Sequence, residues 1–279
     1  MYDLMGRTIL ITGASSGIGM AMAKQFSREG ARLVLCARRV DRLLLLAEEL
    51  RAAHGADVCP LGLDVRDRHQ VEHVFRTELP QNFRNIDVLV NNAGLSRGMD
   101  PLQKGDVDDW EEMILTNISG LLHVTRQILP TMIARGRGDV INIASTSGHE
   151  VYPGGAVYCA TKHAVDALTR GLRMDLVDTP LRVIQISPGM VDTEFSLVRF
   201  HGDHDRAAGV YSGMTPLSPE DVADAAMFAL TRPPHVQVGE IVLWPTSQAS
   251  STLVSRHQVL DESVPPDEST WRNYYELKE

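Results

Sequence analysis

The chain is poor in cysteine, poor in aromatic residues and free of long apolar runs, and each shortage removes a class of protein. Cys36, Cys59 and Cys159 are an odd count with no CxxC spacing. That argues against a disulfide framework or a cysteine-built zinc site and suits a reducing cytoplasm. No stretch approaches the ~20 apolar residues that span a bilayer. The amino terminus, MYDLMGRTILIT, lacks a basic start leading into an apolar core and a small-residue cleavage site. A cytoplasmic protein with no membrane partner is expected. Basic residues are also short, 27 against 36 acids for a net charge of -9, and they form no block able to follow a phosphate backbone. Nucleic acid is therefore not an expected partner.

What the 279 residues do contain is a regular alternation. Short β-rich apolar runs (TILIT, RLVLC, VCPLGL, IDVLV, DVINIA, LRVIQI, GEIVLW) are separated by segments of helical periodicity such as IGMAMAKQFSREG and VDRLLLLAEELRAAHG. Strands alternating with helices predict an α/β fold: one doubly wound parallel sheet of about seven strands, flanked by helices, in a single domain. A nearly continuous helix is expected over 107–136 with Pro130 as a kink, and a second over about 156–176. Between Pro188 and Pro219 the pattern degrades, and residues about 190–218 read as a substrate loop. The catalytic domain is expected over 1–245. Residues 246–279 read as a carboxyl-terminal extension, either loosely ordered or docked on a neighbouring subunit.

Directly after the first strand comes TGASSGIG, residues 12–19, and an amphipathic helix follows at once. Gly13, Gly17 and Gly19 permit a tight turn, close approach of backbone N–H groups to a pyrophosphate and close helix packing. Ser15, Ser16 and Ile18 lie on the same turn. In NAD-binding units of this kind an acid ends the second strand and binds the ribose 2'-hydroxyl. Here the strand runs into Ala37, Arg38 and Arg39. A guanidinium offers a 2'-phosphate a charge-assisted contact of about 1.5–3 kcal/mol, so NADP(H) is the expected cofactor. Asp64 and Val65, ending the third strand, are candidates for the adenine edge, although such an acid is also an ordinary helix cap.

Tyr158 and Lys162 stand four apart in VYCATKHAV, on one helix face, with Cβ atoms about 5–6 Å apart. An ammonium beside a phenol favours its ionised form and equips it to pass a proton to or from a substrate oxygen. Ser145 ends the strand DVINIAS at the sheet's carboxyl edge, where open α/β folds bind ligands. Asn117 is a poor helix former inside the long helix. It either caps a local irregularity or holds a water that links Lys162 to solvent. Cys159 reads as packing, and the cluster His201, Asp203, His204 and Asp205 as a solvated loop, so no metal is expected.

Taken together, TGASSGIG, NNAG at 91–94, Asn117, Ser145, YxxxK at 158–162 and Pro188-Gly189 with Thr193 resemble the short-chain dehydrogenases/reductases over about residues 5–248. The resemblance implies a Rossmann-type fold, an Asn117-Ser145-Tyr158-Lys162 tetrad, hydride transfer without metal, and commonly a homotetramer built on the long helices. It also implies that Asn91, Ala93 and Gly94 line the adenosine side, that Pro188, Gly189, Val191 and Thr193 contact the nicotinamide, and that Lys162 reaches the nicotinamide ribose. NNAGLSRGMDPLQKGDVDDWEEMILTN and PGMVDTEFSLVRFHGD are most similar to the NADP-dependent 3-hydroxy acid dehydrogenases, which act on serine and L-allo-threonine.

A small hydroxy acid, or the matching carbonyl compound, is the substrate class this implies. Its anionic group needs a cation near the pocket, for which Arg97 and Arg199 are the candidates, unless they are merely structural or solvated. Two other readings stand beside it: a 3-oxoacyl-[acyl-carrier-protein] reductase, against which the acidic net charge weighs, and a non-catalytic NADP(H)-sensing protein.

Overall fold

The computed structural model describes residues 3–256. Each of the seven apolar runs forms a strand: β1 Thr8–Thr12, β2 Arg32–Ala37, β3 Val58–Gly62, β4 Val88–Asn91, β5 Asp139–Ile143, β6 Arg182–Pro188 and β7 Glu240–Leu243. All pairings are parallel, and the order is β3-β2-β1-β4-β5-β6-β7. The order reverses between β1 and β4, and such a switch point opens a crevice at the carboxyl ends of the strands.

The helices are α1 Gly17–Arg28, α2 Val40–His54, α3 Arg68–His73, α4 Val107–Ile114, α5 Leu121–Arg135, α6 Ala156–Asp175, α7 Phe195–Arg199, α8 His204–Gly209 and α9 Pro219–Leu230. Successive strand side chains point to opposite faces, so each central strand feeds two cores. Ile9, Ile11, Leu33, Leu35, Val88 and Val90 pack with α1, α2 and α9. Leu10, Val34, Leu89, Val140 and Val183 pack on the other face against Val124, Ile128 and Met132 of α5. No described helix is long and apolar enough to cross a membrane.

The helix expected over 107–136 is interrupted: residues Leu115–Gly120 form a π-helical stretch between α4 and α5. Pro130 lies within α5. The second long helix runs as expected. The substrate loop contains α7 and α8, each about one turn, with Asp203 accepting an N–H bond from Arg206 (3.0 Å) at the start of α8.

At the amino edge of the sheet a charge network closes the fold. Arg182 donates to both carboxylate oxygens of Asp139 (2.6 and 3.0 Å), and Arg7 also pairs with Asp139. Asp87 accepts from the Thr8 N–H (3.0 Å) and from Arg135 (3.0 Å).

Beyond β7, residues up to 256 turn back over the substrate loop. Gln248 accepts the Met190 N–H (2.9 Å), and Arg256 donates to the carbonyls of Val210 and Ser212 (3.0 and 2.6 Å). The remainder of the 246–279 extension, with Trp271, Tyr274 and Tyr275, lies outside the described residues.

Candidate active site

Thr12 ties the switch point together. Its hydroxyl accepts N–H bonds from Asn92 and Ala93, both 3.0 Å, joining the ends of β1 and β4. Gly13 follows at φ +66, and a Cβ there would lie 2.9 Å from the Ala93 Cα, so only glycine fits. Ser16 is extended and puts no side-chain cap on α1, leaving first-turn N–H groups for an anion. Gly19 does not reach the cleft. A Cβ on it would come within 2.5 Å of Asn92 Nδ2 and 2.6 Å of the Gly13 carbonyl, so its service is close packing rather than ligand contact.

The carboxyl edge opens into a cleft of about 430 Å³. Gly13, Ser15, Ser16, Gly17 and Ile18 line it from the turn, Arg38, Arg39, Asp64 and Val65 from the ends of β2 and β3, and Ala93 and Gly94 from the end of β4. Pro188, Gly189, Val191 and Thr193 close the other side. Asn91 does not line it, contrary to expectation: it is buried, and its amide donates to Thr125 and Asn142 (2.9 Å each). The neighbouring Asn92 faces the cleft and donates to the Thr12 carbonyl (2.9 Å). The Asp64 carboxylate is committed to Arg66 through its Nε (2.9 and 3.0 Å) and Nη2 (2.6 Å).

A cluster of charges lies where β2 runs into α2. Arg39 donates to Ser15 (3.2 Å), Ser16 (2.7 Å) and Glu194 (2.7 Å), and Arg42 donates to the other Glu194 oxygen (2.6 Å). Arg42 and Glu194 escaped the sequence reading because 152 residues separate them. The glycine cradle, the uncapped helix and the guanidiniums form a set that fits a dinucleotide bearing a 2'-phosphate.

At the other end, α6 carries Tyr158 and Lys162 into the cleft, both buried. Ser145 begins a tight turn, its hydroxyl accepting the Ser147 N–H (3.1 Å) and donating to the Pro188 carbonyl (3.4 Å). Lys162 Nζ lies 6.0 Å from the Tyr158 ring centroid and donates to the Ile143 carbonyl (2.9 Å). Burial draws the Lys162 pKa down to about 8. The phenol moves the other way: burial, then the nearby Tyr152, hold its pKa above the ordinary value, while Arg199 and Ser145 act to lower it. The phenol is thus held above its ordinary range rather than lowered as expected, and Arg199 is a cation that opposes burial.

Arg199 projects from the end of α7, with its guanidinium carbon 5.3 Å from the Tyr158 centroid and 5.2 Å from that of Phe195. It donates to Ser96 and to the Tyr152 hydroxyl, both 3.0 Å. Arg97, the other candidate, is directed elsewhere. Its guanidinium bonds Glu112 and the Val198 carbonyl, each at 2.6 Å, and lines a small separate cavity beside Trp110. His201 pairs with Asp109 (3.0 Å).

Asn117 sits in the π-helical stretch, buried behind Gly94. Its oxygen accepts the Leu95 N–H (2.9 Å), and its amide donates to the Leu95 carbonyl (2.8 Å) and to Thr161 (3.0 Å). A Cβ on Gly94 would lie 3.3 Å from that oxygen and 3.6 Å from Lys162 Nζ, so the three positions adjoin. The π-helical stretch around Asn117 is a local irregularity of the kind one of its readings expects.

A hydroxyl, a phenol and a cation thus face one space next to a dinucleotide cradle, an arrangement able to hold a substrate oxygen and exchange a proton with it. The sequence model for the short chain dehydrogenase family matches residues 7–202. An NADP-dependent 3-hydroxy acid dehydrogenase of Schizosaccharomyces pombe is 43% identical over 259 residues, covering 92% of this chain and all of that protein. Sulfoacetaldehyde reductase 2 of Chromohalobacter salexigens is 45% identical over 250 residues, 89% of this chain and 98% of that one. Among solved structures, the closed form of a serine dehydrogenase complexed with NADP+ superposes with a TM-score of 0.83 at 42% identity, over 90% of this chain and all of that one. Sequence, fold and the geometry of the cleft converge: the chain belongs to the short-chain dehydrogenase family.

Proposed function

We propose that the protein is an NADP(H)-dependent oxidoreductase that interconverts a small anionic hydroxy acid and the matching aldehyde or ketone. When bound, NADP(H) supplies or takes up the hydride. The glycine turn, Arg38 and Arg39 hold its adenosine phosphates, and Pro188 to Thr193 its nicotinamide half. Ser145 orients the substrate oxygen. Tyr158 gives that oxygen a proton during reduction and takes one from the alcohol during oxidation. Lys162 stands beside the phenol as the cation nearest the ribose side, and Asn117 holds the backbone of Leu95 so that Gly94 and Lys162 keep their places.

The observation that carries the substrate class is Arg199. It places a positive charge 5.3 Å from the Tyr158 ring, inside the cleft, bonded to neutral hydroxyls rather than to an acid. A carboxylate or sulfonate near the reacting carbon would complete that charge. The names of the relatives, a 3-hydroxy acid dehydrogenase and a sulfoacetaldehyde reductase, support an anionic substrate.

The proposal includes a homo-oligomer packed through α4 and α5, supported by exposed Ile114, Leu122 and Ile133 on those helices and Leu115 between them. It also includes residence in a reducing cytoplasm, supported by three free, buried cysteines.

The test is NADP+ reduction with serine, L-allo-threonine and 3-hydroxypropanoate, beside NADPH oxidation with 3-oxoacyl thioesters and with sulfoacetaldehyde. Turnover of the small anions with little on the thioesters is expected. Turnover confined to thioesters would transfer the protein to acyl-chain reduction, and NADPH binding without turnover of any carbonyl would leave a sensor.

A further inference from the structure

The carboxylate at the adenosine end comes from the far side of the cleft. Glu194 directly precedes α7, the element that carries Arg199, and follows Thr193, whose Cγ2 would lie 3.2 Å from a Cβ on Gly17. It bridges Arg39 and Arg42, which flank the start of α2, at 2.7 and 2.6 Å. Arg39 at the same time lies over the turn, bonded to Ser15 and Ser16. One acid therefore ties the substrate loop to Arg39, which the proposed function gives to the cofactor's adenosine phosphates, and to Arg42 beside it.

All three partners are about 40% exposed. Ion pairs this open are weak and readily exchanged. A phosphate monoester carries close to two charges at neutral pH and three terminal oxygens. Two guanidiniums therefore hold it better than they hold one carboxylate.

We propose that Glu194 is a latch and a selectivity residue: it occupies the 2'-phosphate subsite in the free protein, and the phosphate of NADP(H) displaces it, releasing Glu194–Arg199 toward the substrate. This rests on the NADP(H) reading above. NAD(H), lacking the phosphate, leaves the latch shut. Loading of the phosphorylated cofactor thereby reports to Arg199, five residues further on.

The test measures dissociation constants of NADPH and NADH for the full chain by nicotinamide fluorescence, in wild type, Glu194→Gln and Glu194→Asp. Hydrogen exchange of residues 195–214 is followed with 2',5'-ADP and with 5'-AMP. Removing the competitor is expected to tighten NADPH about two- to tenfold, leaving NADH within about twofold, and Glu194→Asp to stay near wild type. In wild type, 2',5'-ADP raises exchange in 195–214 and 5'-AMP does not, whereas Glu194→Gln exchanges fast without nucleotide. An unchanged or weakened NADPH affinity in Glu194→Gln overturns the latch, the weakened case meaning that Glu194 clamps bound cofactor instead. Wild type binding NADPH no better than NADH would sink the cofactor reading itself, a separate failure.

Discussion

The two edges of the sheet are built from the same residue types and do opposite things. At the amino edge, Asp139 and Asp87 are buried acids matched by Arg182, Arg7 and Arg135, and Arg182 also bonds the carbonyls of Leu230 and Arg232 (3.1 and 3.0 Å). Both of these buried acids have guanidinium partners. At the carboxyl edge Lys162 is buried against a carbonyl, and the half-buried Arg199 lies against rings and hydroxyls, neither bonded to an acid. Burying a cation without a counter-ion costs stability, and it leaves positive charge available to a ligand. The lesson is that the fold is fastened at one end of its strands so that the other end can remain incompletely paired.

Substitutions at the two edges should therefore separate stability from activity. The largest effect on stability is expected from Arg182→Met, which strips Asp139 of a bidentate partner. Urea unfolding should show a loss of about 3–5 kcal/mol, while turnover per folded molecule stays unchanged. Arg199→Met should do the reverse. KM for a carboxylate or sulfonate substrate should rise about ten- to hundredfold, the equivalent of a charge-assisted bond, with the unfolding midpoint moved little and KM for a neutral carbonyl nearly constant. The smallest effect concerns Lys162. Its folded pKa of about 8 lies below the ordinary 10.5. Between those values the unfolded chain binds a proton that the folded protein has released, so stability should rise with pH. Comparing unfolding midpoints at pH 7.5 and 9.5, Lys162→Met should remove a pH-dependent gain on the order of 1–2 kcal/mol.

The same contrast explains what the sequence made legible. The strands showed as apolar runs because a parallel sheet covered on both faces leaves its inner strands no polar side. The glycine turn and the Tyr158–Lys162 spacing were readable because each is local, fixed by a backbone angle or one helical turn. The π-helical form of Leu115–Gly120 was legible only as the irregularity that Asn117 suggested, since one inserted residue barely disturbs a long amphipathic pattern. Asn91 and Asn92 are adjacent at a strand end, and only the register decides which faces the cleft. Arg97 and Arg199 look alike in their loops. What separates them is Glu112, which captures Arg97 from α4 and has no counterpart at Arg199. Partners 15 residues away, like the 152 between Arg42 and Glu194, carry no local signature.

The account stands on Tyr158 as the group that exchanges the proton, and turnover of Tyr158→Phe with the best small hydroxy acid, alongside its NADPH dissociation constant, tests that most directly. The phenyl ring preserves the packing against Phe195 and beneath Arg199. A fall in kcat of about 10²–10⁴-fold, with NADPH affinity within about threefold of wild type, is predicted. Wild-type turnover in the variant would contradict the account.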